Sequence, residues 1–565
     1  MKFQFAIVSI FLSLGLFALP GARAQSNTVA VDLQMKAKMH QEIDYVGALY
    51  SSVYAPRSWK ESHLGWNLAA EVSKAQGQLE TAQNLFEARS AVANLIKSTK
   101  DYHVSFSFYS TEKASLPFQV KTVEGKSLIV FIDRTKLSPV SFPFAVGDEL
   151  LTLGQVPVAQ AVAELVEQMG PNAPDTDKAL ADLYLTRRSS ARNFAVPHGP
   201  VTLSIKRQKD ETVGTVSVSW DYIPEQLNNG GSNGLFKAEV NGLFDHKMIS
   251  NIAQDLKFAA ANPYGIGERN SFLPDFGTRT WASAADSDFD AYIFKNEQNQ
   301  SIGVIRIPVY EAPDDNYAKA VSDFSAIIQK MQAETSGLII DQNNNPGGSV
   351  FYLYALVSML SDQTMKVPAH RVSLLPDQVR ECLKAIESLR DVKSDDEAKA
   401  ILGNDLSGYP ATYELAVSTR DYCATVVRQF HEGKHLSSPL HLWGVDQVNP
   451  NPVHYTKPIV LLTNMLDFSG GDFFPAILQD NKRVTIVGTR TAGAGGFILE
   501  ASFPNSLGIE KISFTGSIAE RADNNPIENL GVSPDVVLPM TAADLRNGFV
   551  DYESKVKAVL GTLVK

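Results

Sequence analysis

Cysteine is nearly absent from this chain of 565 residues. Only Cys382 and Cys423 occur, so disulfides are not the basis of its fold. Basic residues are outnumbered, 51 Lys and Arg against 62 Asp and Glu, for a net charge of −11. No basic cluster offsets that excess, which argues against nucleic acid or an anionic membrane surface as partner. After the opening residues no apolar run approaches the length of a membrane span. A hydrophobic content of 44% is ordinary for globular protein and excludes wholesale disorder.

What is present begins with a leader. Residues 1–24 read as a secretory signal, with Lys2 at the start, an apolar stretch over 5–19 and Ala22-Arg23-Ala24 as the cleavage site. The expectation is an exported mature chain, secreted or periplasmic, with no membrane anchor once the leader is removed. Its length suits about three or four domains.

From 29 to 100 the pattern is helical, notably over 66–74 and 79–96. The period changes to two after Asp101-Tyr102-His103, where Val104, Phe106 and Phe108 alternate with Ser105 and Ser107 as in a half-buried strand. On that alternation His103 falls on the polar face, where a histidine is ordinarily solvated. Residues 115–222 form a second unit. A strand at 127–132 is followed by turn, strand and turn over 144–154, an amphipathic helix at Val158–Met169, and strands at 201–206 and 212–220. Residues 223–290 show no regular pattern. They open on Asn228-Asn229-Gly230-Gly231-Ser232-Asn233-Gly234, a flexible-linker composition, and carry one amphipathic helix at 248–260 and buried-type Phe272, Leu273 and Phe276.

Two strand-to-helix corners follow. The apolar strand at 337–341 runs into Gln342-Asn343-Asn344-Asn345-Pro346-Gly347-Gly348 and then a helix over 350–360. The glycine pair lets backbone N–H groups approach a ligand closely. The second corner is 461–471, LLTNMLDFSGG. Ser469 stands between a buried-type strand at 459–462 and a helical pattern that restarts at Phe473, with Pro475 acceptable in a first helical turn. A serine there has its hydroxyl at a corner, beside helix N–H groups that can meet a developing negative charge. A plain Ser N-cap fits the local sequence equally well. Residues 362–455 read as a mostly helical insertion, and a strand at 484–487, a hairpin at 497–514 and a tail at 525–538 complete the pattern.

The segment from Gly147 to Met169 resembles a PDZ domain, although a counterpart to that family's carboxylate-binding loop is missing near 115–119. Residues 337–348 resemble the "G-hydrophobic-D-x-R-x-N-P-G-G" segment of the S41 peptidases, the carboxyl-terminal processing and tricorn-type serine peptidases. Residues 461–480 resemble their nucleophile segment, 483–495 their "A-x-hydrophobic-V-G-x-x-T-x-G-K-G", and 527–535 their "(I/V)-E-x-x-G-hydrophobic-x-P-D". These motifs stand in the family's order.

The resemblance implies an α/β fold with a crotonase-like core, a PDZ-like β-rich domain and an N-terminal helical domain. The implied layout is leader 1–24, helical region 25–112, PDZ-like domain 113–222, segment 223–290 and peptidase core 291–565 with the 362–455 insertion. The lysine that serves as base in the processing peptidases is replaced by Ala494, which excludes a Ser–Lys dyad. The tricorn branch uses Ser, His and Glu instead, and Ser469, His103 and Glu528 stand at the matching motifs. Such a triad assigns Ser469 as nucleophile, His103 as base and Glu528 as its orienting partner. Gly470 and either Gly347 or Gly348 are then the oxyanion-hole donors. The implied activity is that of a serine endopeptidase acting on proteins or peptides without cofactor or metal; homodimer formation stays open.

Competing readings are specific. His431-Glu432-Gly433-Lys434-His435 fits H-E-x-x-H, with His441 beyond it. Zinc needs both motif histidines on one helix face, however, and Gly433 with Ser437-Ser438-Pro439 reads as a helix end. A PDZ unit on a dead peptidase core would be a peptide-binding protein. Cys382 and Cys423 could bridge within the insertion or remain buried thiols. Finally, 223–290 is placed to cover the active site in a precursor, through the 248–260 helix and Phe272-Leu273-Pro274, and to be cut on activation.

Overall fold

The computed structural model describes residues 29–226 and 262–564. The leader at 1–24, the linker at 228–234 and the helix at 248–260 lie outside the described residues.

The N-terminal region consists of helices Leu33–Val53, Arg57–Leu64, Leu68–Thr81 and Leu85–Lys97. Asp32, Asn67 and Asn84 cap the three longer ones by accepting a backbone N–H three residues on. The pattern over 79–96 is thus two helices, because Asn84 starts a new one. Ile43, Val46, Leu79, Val92 and Ile96 pack with Phe106, Phe108 and Ile512 of the following strands. Strand Ser105–Phe108 pairs antiparallel with Ile509–Thr515, which joins this region to the far end of the chain.

The PDZ-like unit is a sheet of strands Phe118–Val123, Lys126–Ile132, Glu149–Leu153, Pro200–Lys206 and Val213–Ser219. Helix Val158–Met169 buries Val158, Ala161, Val162 and Leu165 against it. A second helix, Pro174–Leu185, begins on proline, whose missing N–H costs nothing at a first helical position. It had no counterpart in the sequence reading.

The core is a seven-stranded sheet whose spatial order follows the chain: β1 (Arg279–Ala282), β2 (Ala291–Lys295), β3 (Ser301–Arg306), β4 (Gly337–Asp341), β5 (Ile459–Thr463), β6 (Thr485–Gly488) and β7 (Val536–Val537). β1 to β3 are antiparallel and β3 to β7 parallel. Every residue of β4 and β5 is buried, since both faces are covered. Leu338, Ile340 and Leu461 meet helices Tyr317–Glu334, Val350–Ser358 and Gly470–Asp480 on one face. Ile339, Val460 and Leu462 meet helix Val550–Leu563 on the other. Phe272, Leu273 and Phe276 belong to that second face. This corrects the placement of Phe272-Leu273 in a substrate groove: their apolar area is spent under the sheet.

The 362–455 insertion carries helices Pro376–Leu389, Asp395–Leu402 and Tyr413–His431. It is fastened to the core by strand Ala369–Val372, which pairs with Ser517–Glu520. Cys382 and Cys423 share a small apolar cluster between the first and third helices, and both are free thiols.

Candidate active site

β4 and β5 are adjacent and parallel, so the loops that leave them emerge at the same end of the sheet. The two loops are cross-linked through Asp467. Its Oδ1 accepts the Asn345 N–H at 3.0 Å, and its Oδ2 accepts the Asn464 N–H at 2.9 Å and Gln342 Nε2 at 3.2 Å. The Phe468 N–H donates to the Asn345 carbonyl at 2.8 Å. Burial holds the Asp467 carboxyl well above the usual range, against the hydrogen bonds it accepts.

Ser469 is the N-cap of helix Gly470–Asp480, with φ 56° and ψ −112°. A non-glycine residue occupies that region only when its surroundings hold it there. Asp472 is what holds it: its Oδ2 accepts the Ser469 N–H at 2.9 Å, and its own N–H donates to the Ser469 carbonyl at 2.7 Å. The same carboxylate accepts the Ala494 N–H at 2.9 Å, the Gly493 N–H at 2.8 Å and the Thr491 hydroxyl. Burial pushes it up to about 6, with the bonds from Thr491, Gly493 and Ala494 opposing. The Ser469 side chain is fully buried and its Oγ has no hydrogen-bond partner among the described residues.

Pro475 lies beyond the first turn, contrary to the sequence reading. Its missing N–H would have met the Gly471 carbonyl, which instead accepts Gln342 Nε2 at 2.8 Å. The polar loop after β4 thus replaces the bond that the proline removes.

The glycine pair sits directly against this corner. A Cβ on Gly470 would lie 3.0 Å from Gly347 Cα, and one on Gly348, at φ +147°, would lie 2.1 Å from the Tyr310 carbonyl oxygen. The Gly347 N–H is taken by Asn345 Oδ1 at 2.8 Å. Those of Gly348 and Gly470 meet no acceptor among the described residues. Of the two glycines the sequence left open, Gly348 is the one with its amide available.

His103 arrives from the N-terminal region. It precedes strand Ser105–Phe108 and is 1% exposed, so the expected solvated polar face is not where it lies. The Ser105 and Ser107 hydroxyls on that face are themselves engaged by Ser513 and Glu510. The His103 N–H donates to Asp101 Oδ1 at 2.9 Å, and Asp101 Oδ2 accepts the Tyr54 hydroxyl at 2.8 Å and the Thr515 hydroxyl at 2.7 Å. Neither imidazole nitrogen has a hydrogen-bond partner among the described residues. Burial pushes the ring down to about 4, with Lys60 acting in the same direction and Asp101 against it, so it is neutral at neutral pH.

Glu528 is fully buried. Its Oε2 accepts the Gly495 N–H at 3.1 Å, and its Oε1 lies 2.5 Å from Lys60 Nζ. Burial and the nearby Asp101 push this carboxyl up to about 8, while Lys60 and the Gly495 bond pull it down. Ala494, where a dyad lysine would stand, is buried in an apolar cluster with Tyr102, Leu466 and Phe468.

Ser469, His103 and Glu528 are therefore gathered by one network through Asp472, the 493–495 loop, Lys60 and Asp101, yet no hydrogen bond joins any two of the three directly. Lys60, Asp472 and Asp467 were missing from the sequence reading. The Ser-x-x-Asp spacing of 469 and 472 is a capping-box signal that could have disclosed Asp472. Lys60 and Asp467 carry no such local sign. The H-E-x-x-H stretch is not a zinc motif in space: helix Tyr413–His431 ends at its first histidine, and Gly433 has φ +76°.

Comparison with known proteins accords with this architecture. A PDZ domain model matches residues 112–227, and the model of peptidase family S41 matches 301–538. A Chlamydia muridarum protein is 35% identical over 566 residues, covering 93% of this chain and 92% of its own length. A Chlamydia trachomatis protein is also 35% identical, at the same coverage. The solved structure of mature CPAF is 34% identical with a TM-score of 0.82, covering 94% of this chain and 98% of that one. CPAF complexed with lactacystin matches with the same identity and TM-score. With the motifs in order on the sheet end that bears Ser469, the chain belongs to peptidase family S41 and is a serine-type peptidase.

Proposed function

We propose that the chain is an exported serine endopeptidase that cleaves proteins through Ser469, His103 and Glu528. The observation that carries this reading is the buried Ser469 hydroxyl, without a partner among the described residues, at a strained helix N-terminus beside the Gly470 and Gly348 amides, which likewise meet no acceptor there. The neutral imidazole of His103 takes the hydroxyl proton as Oγ bonds to the scissile carbonyl carbon. The resulting oxyanion accepts the Gly470 and Gly348 N–H groups. His103 then returns the proton to the leaving amine as the C–N bond breaks. Water, activated by the same imidazole, hydrolyses the acyl-enzyme and frees Ser469.

Glu528, raised to about 8 by burial, supplies the negative charge that favours the imidazolium once it is ionised, toward alkaline pH, and Asp101 shares that part. Cleavage of an unstructured protein, abolished by a fluorophosphonate that labels Ser469, tests the reading. Peptide capture without turnover would instead mark a dead peptidase core used for binding. Lactacystin, with which mature CPAF is complexed, is a second compound to test for inhibition.

Export to the periplasm or the medium rests on the leader-like residues 1–24. Self-activation rests on the segment between the PDZ-like unit and the core. Within 223–290, Phe272 and Leu273 are committed to the core, and the 248–260 stretch lies outside the described residues. The test is whether wild-type protein yields two associated fragments while Ser469→Ala stays one chain. A homodimer is tested by sedimentation.

A further inference from the structure

The cation nearest Glu528 has no part in the mechanism above. Lys60 belongs to the short helix Arg57–Leu64, in which it is the one buried residue. Its side chain and that of Glu528 are both 0% exposed. Nζ has three donors, and all three are placed: on Glu528 Oε1 at 2.5 Å, on Asn529 Oδ1 at 2.7 Å and on the Lys100 carbonyl at 2.8 Å. A fully buried ammonium is retained at a cost in solvation, so its partners must supply what water would.

The groups around it form one charge cluster drawn from three parts of the chain. Asp101 and Glu528 are its two carboxyls, Lys60 its cation, and His103 its neutral imidazole. The Tyr54 and Thr515 hydroxyls donate to Asp101, and the Gly495 N–H donates to Glu528. Arg490 reaches only the carbonyls of Asn529 and Leu530, and Asp472 lies across the 493–495 loop. When both carboxyls are ionised, one cation faces two of them, and the deficit is one positive charge. A protonated His103 supplies it.

We propose that Lys60 is a positioning residue of the peptidase site: it holds Glu528 in place and favours its charged form, so that the cluster accepts the proton that His103 takes from Ser469. This rests on the assignment of Glu528 and His103 made above. Two carboxyls buried together without a cation would not both ionise, and the orienting charge would be lost. Removing Lys60 also removes a charge that opposes protonation of His103. Both effects move the same way: the active form, with Glu528 ionised and His103 neutral, is reached only at higher pH.

The test is the pH profile of kcat/KM on a peptide substrate for Lys60→Met, Lys60→Arg, Glu528→Gln and the double variant Lys60→Met/Glu528→Gln. Lys60→Met is expected to move the acid limb up by about one pH unit or more, with kcat falling and KM little changed. Lys60→Arg is expected to keep the wild-type limb. The double variant is expected to be no slower than Glu528→Gln, because Lys60 acts through that carboxyl. A Lys60→Met enzyme that is slower with an unmoved limb, or a double variant much slower than Glu528→Gln, overturns the proposal. Wild-type activity in Glu528→Gln would instead overturn the triad assignment beneath it. Should Lys60→Met fail to fold, the double variant, in which neither charge is left alone, still decides by its rate against Glu528→Gln.

Discussion

The ring of Tyr102 meets that of Phe468 edge-on, with 5.5 Å between centroids. One residue precedes His103 and the other precedes Ser469, so this contact brings the chain neighbours of the proposed base and nucleophile together. The Tyr102 hydroxyl also donates to Asp177 Oδ1 at 2.7 Å, on helix Pro174–Leu185 of the PDZ-like unit. Helical region, PDZ-like unit and core therefore meet at the site. None of them alone would contain it.

Ser469→Ala and His103→Ala are each expected to lower kcat by about five or six orders of magnitude, and Glu528→Gln by about four. Ala494→Lys is not expected to rescue His103→Ala, since position 494 lies in an apolar cluster where an ammonium would be buried without a partner. Peptide hydrolysis rates for the four variants decide this, and near-wild-type turnover in Ser469→Ala would end the assignment.

Gly470→Ala places a methyl 2.9 Å from Tyr310 Cδ2 and 3.0 Å from Gly347 Cα. The glycine loop must yield, and the two amides lose their common aim. A loss of about a hundredfold in kcat is expected, with a melting temperature close to that of wild type. Unchanged kcat would mean that the oxyanion is held elsewhere.

Asp472→Asn keeps the shape but turns an NH2 group toward backbone N–H donors that the carboxylate now accepts. A cost of about 1–3 kcal/mol in stability is expected, together with a fall in kcat at little change in KM as Ser469 leaves its strained conformation. Chemical denaturation and steady-state kinetics on the one variant measure both.

His103 gives the fold an acid weakness. Its folded pKa, about 4, lies below the unfolded value of 6.5, so the unfolded chain binds the proton more readily. Stability from this group is intact above 6.5 and is lost as pH falls toward 4, by about 2 kcal/mol at pH 5. Glu528, raised to about 8, has the opposite sign and favours the folded state as pH falls from 8 to 4.5. His103→Leu is therefore expected to lose less stability than wild type between pH 7 and pH 5 in urea unfolding. Equal losses would refute the buried neutral imidazole.

Thiol titration of the denatured, unreduced protein is expected to find two thiols, because Cys382 and Cys423 are free in their apolar cluster. Finding none would mean that the pair closes a bridge.

Local interactions were legible in the sequence. The unbroken apolar runs of β4 and β5 are those of strands covered on both faces, and helix Val158–Met169 shows its buried stripe at helical spacing. Ser469 stood at its corner, and the motifs stood in the S41 order. Such signals act over two to four residues or along one element, which is why a single chain displays them. Tertiary structure decided what depends on burial and on partners far apart in the chain. It took His103 off the solvated face its alternation suggested, engaged the amide of Gly347 on Asn345, and drew Phe272 and Leu273 under the sheet. Above all it set Lys60 against Glu528. A lysine in a short polar helix reads as a surface residue, and only the folded chain, by removing water from both groups, brings it against Glu528 as a buried pair.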